Sequence, residues 1–250
     1  MLTYIKIKYK LDAPKPHDFI GSKVRGMLGY ALKEEVCVNP SYKCEGCFAA
    51  KECVFYEMYE KVNATHKYRL DFNLYDNNYA FSLYLFDTLQ AEESSIGKAM
   101  LHALNEYKNI ELQSKEKVFK KSKKGVSLLK LTFETPLRIK KNNTFARDDI
   151  ELIDILRSAY KRNRDLHGKK HKPLSIDENY KVVSKHLHYK ELTRRSNKQK
   201  TTMNMGGLMG EMIITDVDKK VYNLLKLAEV IGVGKATVFG LGKIKIEEIG

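Results

Sequence analysis

Alternating apolar and polar residues open the chain. Ile5, Ile7 and Tyr9 alternate with lysines at positions 6, 8 and 10, which is the period of a half-buried strand with one basic face. Apolar residues then recur at helical spacing over 20–32, after Asp18, which is placed to cap a helix. We therefore predict a strand followed by a helix.

The next segments complete one folding unit. Two alternating stretches, 68–74 and 79–85, flank the turn residues 76–78 and predict a hairpin. Helical spacing over 96–107 predicts a second helix, and a strand is expected over about 110–118. The order β-α-β-β-α-β is that of a ferredoxin-like unit.

The same pattern repeats in outline over the second half of the chain. The expected elements are a strand over 126–133, a helix opened by Asp148 and Asp149, strands over 180–192 and 203–214, a helix begun by Asp218, and a strand over 243–249. We predict an α+β fold of two tandem ferredoxin-like units, residues 1–122 and 123–250.

The basic net charge of the chain favours negatively charged binding partners. The chain carries a formal net charge of +14, with 45 Lys and Arg against 31 Asp and Glu. Between Arg157 and Lys200, fourteen basic residues stand against four acidic ones, an excess of ten. Such a field attracts polyanions, most commonly nucleic acid, although a merely soluble basic protein is the alternative. No signal-peptide pattern or apolar run of about 18 residues is present, so we expect a cytoplasmic protein with no membrane partner.

Four cysteines, Cys37, Cys44, Cys47 and Cys53, lie within seventeen residues. The central two form a C-x-x-C pair, and the flanking two complete the four thiolates that tetrahedral zinc requires. An iron–sulfur cluster can use the same ligands, and two disulfides would suit a hyperthermophile. We expect a structural metal, zinc in preference to iron–sulfur, in an insertion over about residues 37–66.

A glycine-rich loop, residues 232–242, joins the last predicted helix to the last predicted strand. A Gly-x-Gly pair at each end brackets Lys235 and Phe239. A P-loop precedes its helix and has Ser or Thr after the lysine, whereas this loop follows its helix and has Ala236 there. Nucleotide binding of that kind is excluded. A helix C-cap with a tight turn is one interpretation, and a loop that a flat or anionic ligand approaches closely is the other.

Histidines are the chain's only candidates for a general base titrating near neutrality. His186 and His188 are two residues apart, so on a strand they face the same way, and His17 lies at the first strand–helix junction. A single histidine is more often structural than catalytic. The sequence contains no Ser-His-Asp order, H-E-x-x-H motif or acidic metal cluster.

Several motifs together resemble a known family. The segment 195–199, the run Gly206-Gly207-Leu208-Met209-Gly210 and the glycine-rich loop are similar to the C-terminal half of the CRISPR-associated Cas6 proteins, the repeat-processing endoribonucleases of the RAMP superfamily. The run Gly21-Ser22-Lys23-Val24-Arg25-Gly26-Met27-Leu28-Gly29 and the cysteines after it resemble a branch with a cysteine-rich insertion. Other RAMP proteins share the loop, so the combination is the more specific signal.

The resemblance implies cleavage of CRISPR precursor RNA within each repeat, without a metal in the chemistry. A base would take the proton of a ribose 2′-hydroxyl, and cations would stabilise the phosphate, leaving a 2′,3′-cyclic phosphate and a 5′-hydroxyl. The expected bases are His17, His186 and His188. The expected RNA contacts are Lys23, Arg25, Arg194, Arg195, Ser196, Lys198, Gln199, Gly232, Gly234, Lys235, Gly240 and Gly242.

A second function class is compatible with the same resemblance. Some members of the family have lost cleavage, so the chain could be a non-cleaving RAMP subunit that holds guide RNA in a CRISPR ribonucleoprotein. A generic RNA-recognition protein would need exposed aromatic residues on its sheet, and the predicted strands place theirs in the core. The expected partners are the repeat RNA, its precursor transcript and other CRISPR-associated proteins.

Overall fold

Each half of the chain forms a four-stranded antiparallel sheet that carries two helices, which confirms the predicted pair of ferredoxin-like folds. The computed structural model describes residues 2–16, 19–170, 172–196 and 201–249, and of residues 195 and 196 only the backbone. Contacts within the chain divide it into two compact units, Met1–Val118 and Phe119–Gly250. No helix in the described ranges is long and apolar enough to cross a membrane.

The first unit has its strands in the order β2-β3-β1-β4. Its elements are β1 (Thr3–Pro14), α1 (Ile20–Val36), β2 (Tyr68–Phe72), β3 (Asn78–Phe86), α2 (Glu93–Ala103) and β4 (Ile110–Val118). The alternation in β1 holds: Ile7 and Tyr9 are buried, while Lys8 and Lys10 are exposed on the opposite face. The two helices pack against each other, and the segment with the four cysteines joins α1 to β2.

The second unit repeats this topology with the order β12-β5-β11-β8. Its elements are β5 (Val126–Leu137), β6 (Lys140–Lys141), β7 (Thr144–Phe145), α3 (Leu152–Leu166), β8 (Lys181–Lys190), β9 (Thr193–Ser196), β10 (Thr201–Asn204), β11 (Gly207–Val217), α4 (Lys219–Ile231) and β12 (Ile244–Glu248). The short strands pair locally, β6 with β7 and β9 with β10, outside the main sheet.

The predicted strand over 203–214 is wrong as one element, because it is divided at Met205 and Gly206 into β10 and β11. The side chain of Asn204 accepts a hydrogen bond from the Gly206 N–H at 2.7 Å, an Asx turn that ends the first strand. The strand that ends at this turn, β10, pairs with β9 in a basic hairpin, which the alternation of residues did not indicate. This hairpin carries Arg194.

Two predicted helix starts have different outcomes. Asp218 caps α4, with its carboxylate accepting from the Val221 N–H at 2.8 Å. The other predicted start is too early, since α3 begins at Leu152. Asp149 instead pairs with Lys185 of β8 at 2.6 Å, and this hydrogen bond holds the pKa of the Asp149 carboxyl below its usual range. Asp18, the predicted cap of α1, lies outside the described residues.

Candidate functional site

The glycine-rich loop folds back onto the end of β5. The Lys235 N–H donates to the Arg138 carbonyl at 2.8 Å, and the Gly242 N–H donates to the Pro136 carbonyl at 3.1 Å. The Val233 N–H donates to the Gly242 carbonyl at 2.9 Å, which ties the two ends of the loop together. The loop is therefore held on two sides by backbone hydrogen bonds.

The glycines of the loop are required by its own packing. All four that were predicted as RNA contacts have positive φ: Gly232 (75°), Gly234 (76°), Gly240 (77°) and Gly242 (70°). A Cβ at Gly242 would overlap the Val233 carbonyl, and one at Gly234 would lie 2.5 Å from the Arg138 carbonyl oxygen. A side chain would be strained at all four positions, and at Gly234 and Gly242 it would also clash with neighbouring backbone.

The backbone N–H groups of these four glycines are already used inside the protein. Their acceptors are the Ala228 carbonyl, the Ser158 hydroxyl, the Thr237 carbonyl and the Pro136 carbonyl, in chain order. An anion-binding nest needs unsatisfied N–H groups, so these four glycines do not form a phosphate cradle with their backbone.

Two side chains predicted to bind RNA lie at the loop, one within it and one on the neighbouring strand β9. Lys235 is exposed at its tip. Arg194, on β9, places its guanidinium 4.5 Å from the centre of the half-buried Phe239 ring, which belongs to the loop. A cation over an aromatic face is attracted by the ring quadrupole. The basic hairpin and the glycine-rich loop, far apart in sequence, thus meet through this pair.

A second arginine–aromatic pair lies beneath the loop. Arg138 is 8% exposed, and its Nη1 donates to the Gly206 carbonyl at 2.6 Å. Its guanidinium lies 4.2 Å from the centre of the Phe145 ring, and the Lys140 ammonium lies 5.4 Å from the same ring. Burial lowers the pKa of Arg138, but a guanidinium remains protonated in proteins. The pair fixes a buried positive charge under the loop.

A third pair joins the same end of the sheet. Arg147 lies 5.1 Å from the centre of the Tyr189 ring, and the Tyr189 hydroxyl donates to Asn204 at 3.4 Å. Asn204 also binds the Gly206 N–H, which links this pair to Arg138. We call Arg138–Phe145, Arg147–Tyr189 and Arg194–Phe239 the arginine–aromatic cluster.

Sequence reasoning missed most of this cluster. Of its six residues, Arg194 alone was predicted as an RNA contact, and Phe239 was noted only as part of the loop. The remaining members are Arg138, Phe145, Arg147 and Tyr189. No motif marks them; the one available signal is the mixture of basic and aromatic residues over 138–147. Their convergence depends on strand pairing that spacing does not reveal.

His186 and His188 share the exposed face of β8, as their spacing predicts. His186 is the cross-strand neighbour of Glu211, and His188 is that of Met209. Glu211 is ion-paired with Lys130 at 2.6 Å. Both histidines are therefore solvated groups on an open sheet, and their catalytic role stays a prediction.

In the first unit, Arg25 is held by tyrosines. Its Nε donates to the Tyr68 hydroxyl at 3.0 Å, and its guanidinium lies 4.5 Å from the centre of the Tyr59 ring. The His66 ring packs edge-on against Tyr68, with ring centres 5.9 Å apart. Lys23, on the same helix, is exposed. His66 was missed in the sequence because a lone histidine in a loop carries no motif.

Five residues predicted to act in catalysis or RNA binding lie outside the described residues or are described by their backbone alone. His17, Lys198 and Gln199 lie outside the described residues. Arg195 and Ser196 are described by backbone alone, as the partners of Thr202 and Thr201 in the β9–β10 hairpin. Their roles stay predictions.

The four cysteines line one cavity between the end of α1 and the short helix that starts at Tyr56. All four are free thiols, and burial raises the pKa of Cys44. Within the described ranges, no three Cys, His, Asp or Glu side chains are grouped so as to hold a metal ion. The thiols that zinc needs are thus neighbours, but they are not arranged as a coordination shell.

Family models match both halves of the chain. The model described as CRISPR-associated endoribonuclease Cas6 matches residues 131–244. A second model, described as an N-terminal domain, matches residues 2–123. A comparison with curated protein sequences gives no match.

Solved Cas6 structures share the fold over nearly the whole chain. The product complex of Cas6 (TTHB231) has a TM-score of 0.62 at 12% identity, covering 98% of this chain and 99% of that one. Thermus thermophilus Cas6 (TTHB231) has a TM-score of 0.58 at 12% identity, covering 99% and 98%. A Cas6 (TTHA0078) product complex has a TM-score of 0.61 at 15% identity, covering 98% and 99%. Residues 131–244 thus match the CRISPR-associated Cas6 family, and the chain shares the fold of solved Cas6 structures from end to end.

Proposed function

We propose that this protein is an endoribonuclease that binds CRISPR repeat RNA and cuts the precursor transcript within each repeat. The observation that carries the proposal is the match of residues 131–244 to the Cas6 endoribonuclease family. The arginine–aromatic cluster supports it, because the exposed Arg147 and the half-buried Arg194 carry guanidinium groups that suit phosphate contacts. Solved relatives are described as Cas6 product and substrate mimic complexes.

We propose that the cut is an internal transesterification. A base removes the proton of the ribose 2′-hydroxyl, and the 2′-oxygen attacks the adjacent phosphorus. The bond from phosphorus to the 5′-oxygen breaks, and an acid protonates that oxygen. The products are a 2′,3′-cyclic phosphate and a 5′-hydroxyl, so no water is consumed. No metal takes part in the proposed reaction. Arg194 is the side chain of this chain that would offset the charge building on the phosphate, while Lys235 would hold the RNA backbone.

Substitution of the attacking group tests this chemistry. Labelled repeat RNA and an identical RNA with one 2′-deoxy sugar at the cut are incubated with the protein in EDTA, while circular dichroism verifies that the fold persists. We expect the ribose substrate to be cut and the deoxy substrate to stay intact. Cutting of both, or of neither by a folded protein, would contradict the transesterification.

A histidine series then assigns the base. His17, His66, His186 and His188 are each replaced by Ala, and the single-turnover rate is measured at saturating protein. Loss of a general base costs about 10²- to 10⁴-fold, whereas RNA binding should change little. His66 is included because it lies beside Arg25 and Tyr68 in a packed cluster. Normal rates in all four variants would exclude histidine as the base.

The alternative, a non-cleaving subunit that holds guide RNA, is favoured by one observation. His186 and His188 are exposed on an open sheet face, with Glu211 and Met209 as their cross-strand neighbours. Tight repeat binding without any cut would establish this alternative. It uses the same cluster and needs no base.

We also propose that Cys37, Cys44, Cys47 and Cys53 hold a structural zinc ion. Their shared cavity supports the proposal, since all four cysteines line the same space. The zinc would stabilise the segment between α1 and β2 and would take no part in the cut. Other CRISPR-associated proteins are further proposed partners, supported by a relative described as part of a Cas6-RT-Cas1–Cas2 complex.

A further inference from the structure

The sheet face of the first unit that lies opposite its helices carries, on β1 and β4, a set of lysines that the proposed site does not use. On β1 and β4, side chains opposite the helix-covered face come from alternate residues. The residues on this half of the face are Tyr4, Lys6, Lys8, Lys10, Glu111, Gln113, Lys115 and Lys117. Five lysines thus stand against one glutamate, and we call them the lysine face.

Strand pairing places these charges side by side. Lys6 and Lys115 are direct cross-strand partners, while Lys8 and Lys117 are diagonal neighbours of this pair. Like charges directly opposite each other destabilise an antiparallel pair. At one end of the face, Lys10 forms an ion pair with Glu111 at 3.0 Å, and the Lys6 ammonium lies 4.9 Å from the centre of the Tyr84 ring. An anion bound at this face would reduce the repulsion among these ammonium groups.

The lysines at the centre of the face are accessible. Lys8, Lys115 and Lys117 are exposed, and among the described residues no carboxylate forms an ion pair with any of them. The neighbouring aromatic rings are not available for stacking, because Tyr4 and Tyr84 are 8% and 7% exposed. The face therefore presents ammonium groups without base-stacking platforms.

This chemistry fits the sugar-phosphate backbone of single-stranded RNA without regard to its sequence. Lysine binds phosphate as a point charge and carries no base-specific geometry. Phosphate contacts position a nucleic acid, whereas base edges and stacked bases specify it. A face made of lysines and lacking exposed aromatics suits RNA whose sequence varies from one binding event to the next.

We propose that the lysine face binds the single-stranded RNA that flanks the repeat in the precursor transcript. The inference rests on the proposed function for the identity of the RNA. The flanks differ in sequence from repeat to repeat, while their phosphate backbone is constant. Binding them by charge alone would add affinity to every site on the transcript equally.

The test compares RNAs with and without flanks. The repeat alone, the repeat extended by unstructured uridines on its 5′ side, the repeat extended on its 3′ side, and oligouridine alone are titrated against the protein over a range of salt concentrations. The variant K8Q/K115Q/K117Q is compared with the control K51Q/K98Q/K108Q. The control removes three exposed lysines of the same unit that lie off this face.

We expect one flank to tighten binding by wild-type protein and by the control, and the lysine-face variant to lose that gain. With about 0.7 of salt slope per phosphate neutralised on a single strand, the variant's slope on the flanked RNA should fall by about 2. The lysine-face variant should bind the repeat alone as wild type does.

Three outcomes would overturn the inference: no gain from either flank, an equal gain in the lysine-face variant, or an equal loss on the repeat alone. Failure of the proposed function is distinguishable from these, because it would appear as an uncut repeat. In that case the oligouridine titration still measures whether the face binds single-stranded RNA.

Discussion

Lys235 and Gly242 belong to the same loop, but Lys235 matters through its exposed side chain and Gly242 through its backbone conformation. Lys235 is exposed, and its side chain is free to reach a phosphate without disturbing the backbone around it. We expect Lys235→Ala to weaken repeat binding and to lower its salt slope by about 0.7 to 1. The single-turnover rate at saturating protein should change much less.

Binding titrations and single-turnover assays on this variant check the prediction. Lys220→Ala, which removes an exposed lysine from α4, is the matched control and should leave binding near that of wild type. A Lys235→Ala variant that binds normally but cuts slowly would assign this side chain to the chemistry instead of to binding.

Gly242 is constrained by backbone geometry. Its φ of 70° and its contact with the Val233 carbonyl leave no place for a methyl group. We expect Gly242→Ala to lower the free energy of unfolding by roughly 1–3 kcal/mol. Gly26→Ala is the contrast: its helical position has open space around it, so the same change should raise stability by about 0.5–1 kcal/mol. Denaturant unfolding measures both, and equal effects would contradict the argument.

At the scale of elements, the packing of α4 on β12 includes a half-buried carboxyl. Glu229 accepts the Ile246 N–H at 2.8 Å, and burial raises the pKa of its carboxyl. Since the folded-state pKa lies above the unfolded one, the folded state holds the proton more tightly. The free energy of unfolding therefore falls as pH rises through the interval between the two pKa values.

Glu229→Gln keeps the acceptor and removes the charge. We expect it to match wild type in acid and to be more stable at neutral pH, as measured by denaturant unfolding at several pH values. Glu247→Gln is a control of opposite sign, because the hydrogen bond from Lys245 lowers the pKa of that carboxyl. A Glu229→Gln variant that loses stability at neutral pH would contradict the prediction.

Element order could be predicted from the sequence because it depends on local periodicity. The alternation around Ile7 and Tyr9 and the cap at Asp218 are both local signals, and both hold. The contacts of the candidate site are not local. Arg138 meets Gly206, and Arg194 meets Phe239, only because the strand order brings residues 68 and 45 positions apart together. The spacing of residues along the chain does not predict these contacts.

At the scale of the whole molecule, the two units offer separate tests of the proposed metal. We expect about one equivalent of zinc per chain in reducing buffer, and removal of zinc should lower the melting temperature of the first unit. The second unit, whose core contains none of the cysteines, should melt as before. Calorimetry with metal analysis measures this, and less than about half an equivalent of zinc or iron would count against the site.

The internal hydrogen bonds of the loop glycines have a consequence for how RNA preference could change over time. Every glycine N–H in the loop is used internally, so the loop's shape does not depend on what it binds. The residue at an exposed position such as Lys235 can then change while the loop backbone keeps its conformation. New repeat sequences could be accommodated by single substitutions at this tip, with no cost in folding and no change elsewhere in the unit.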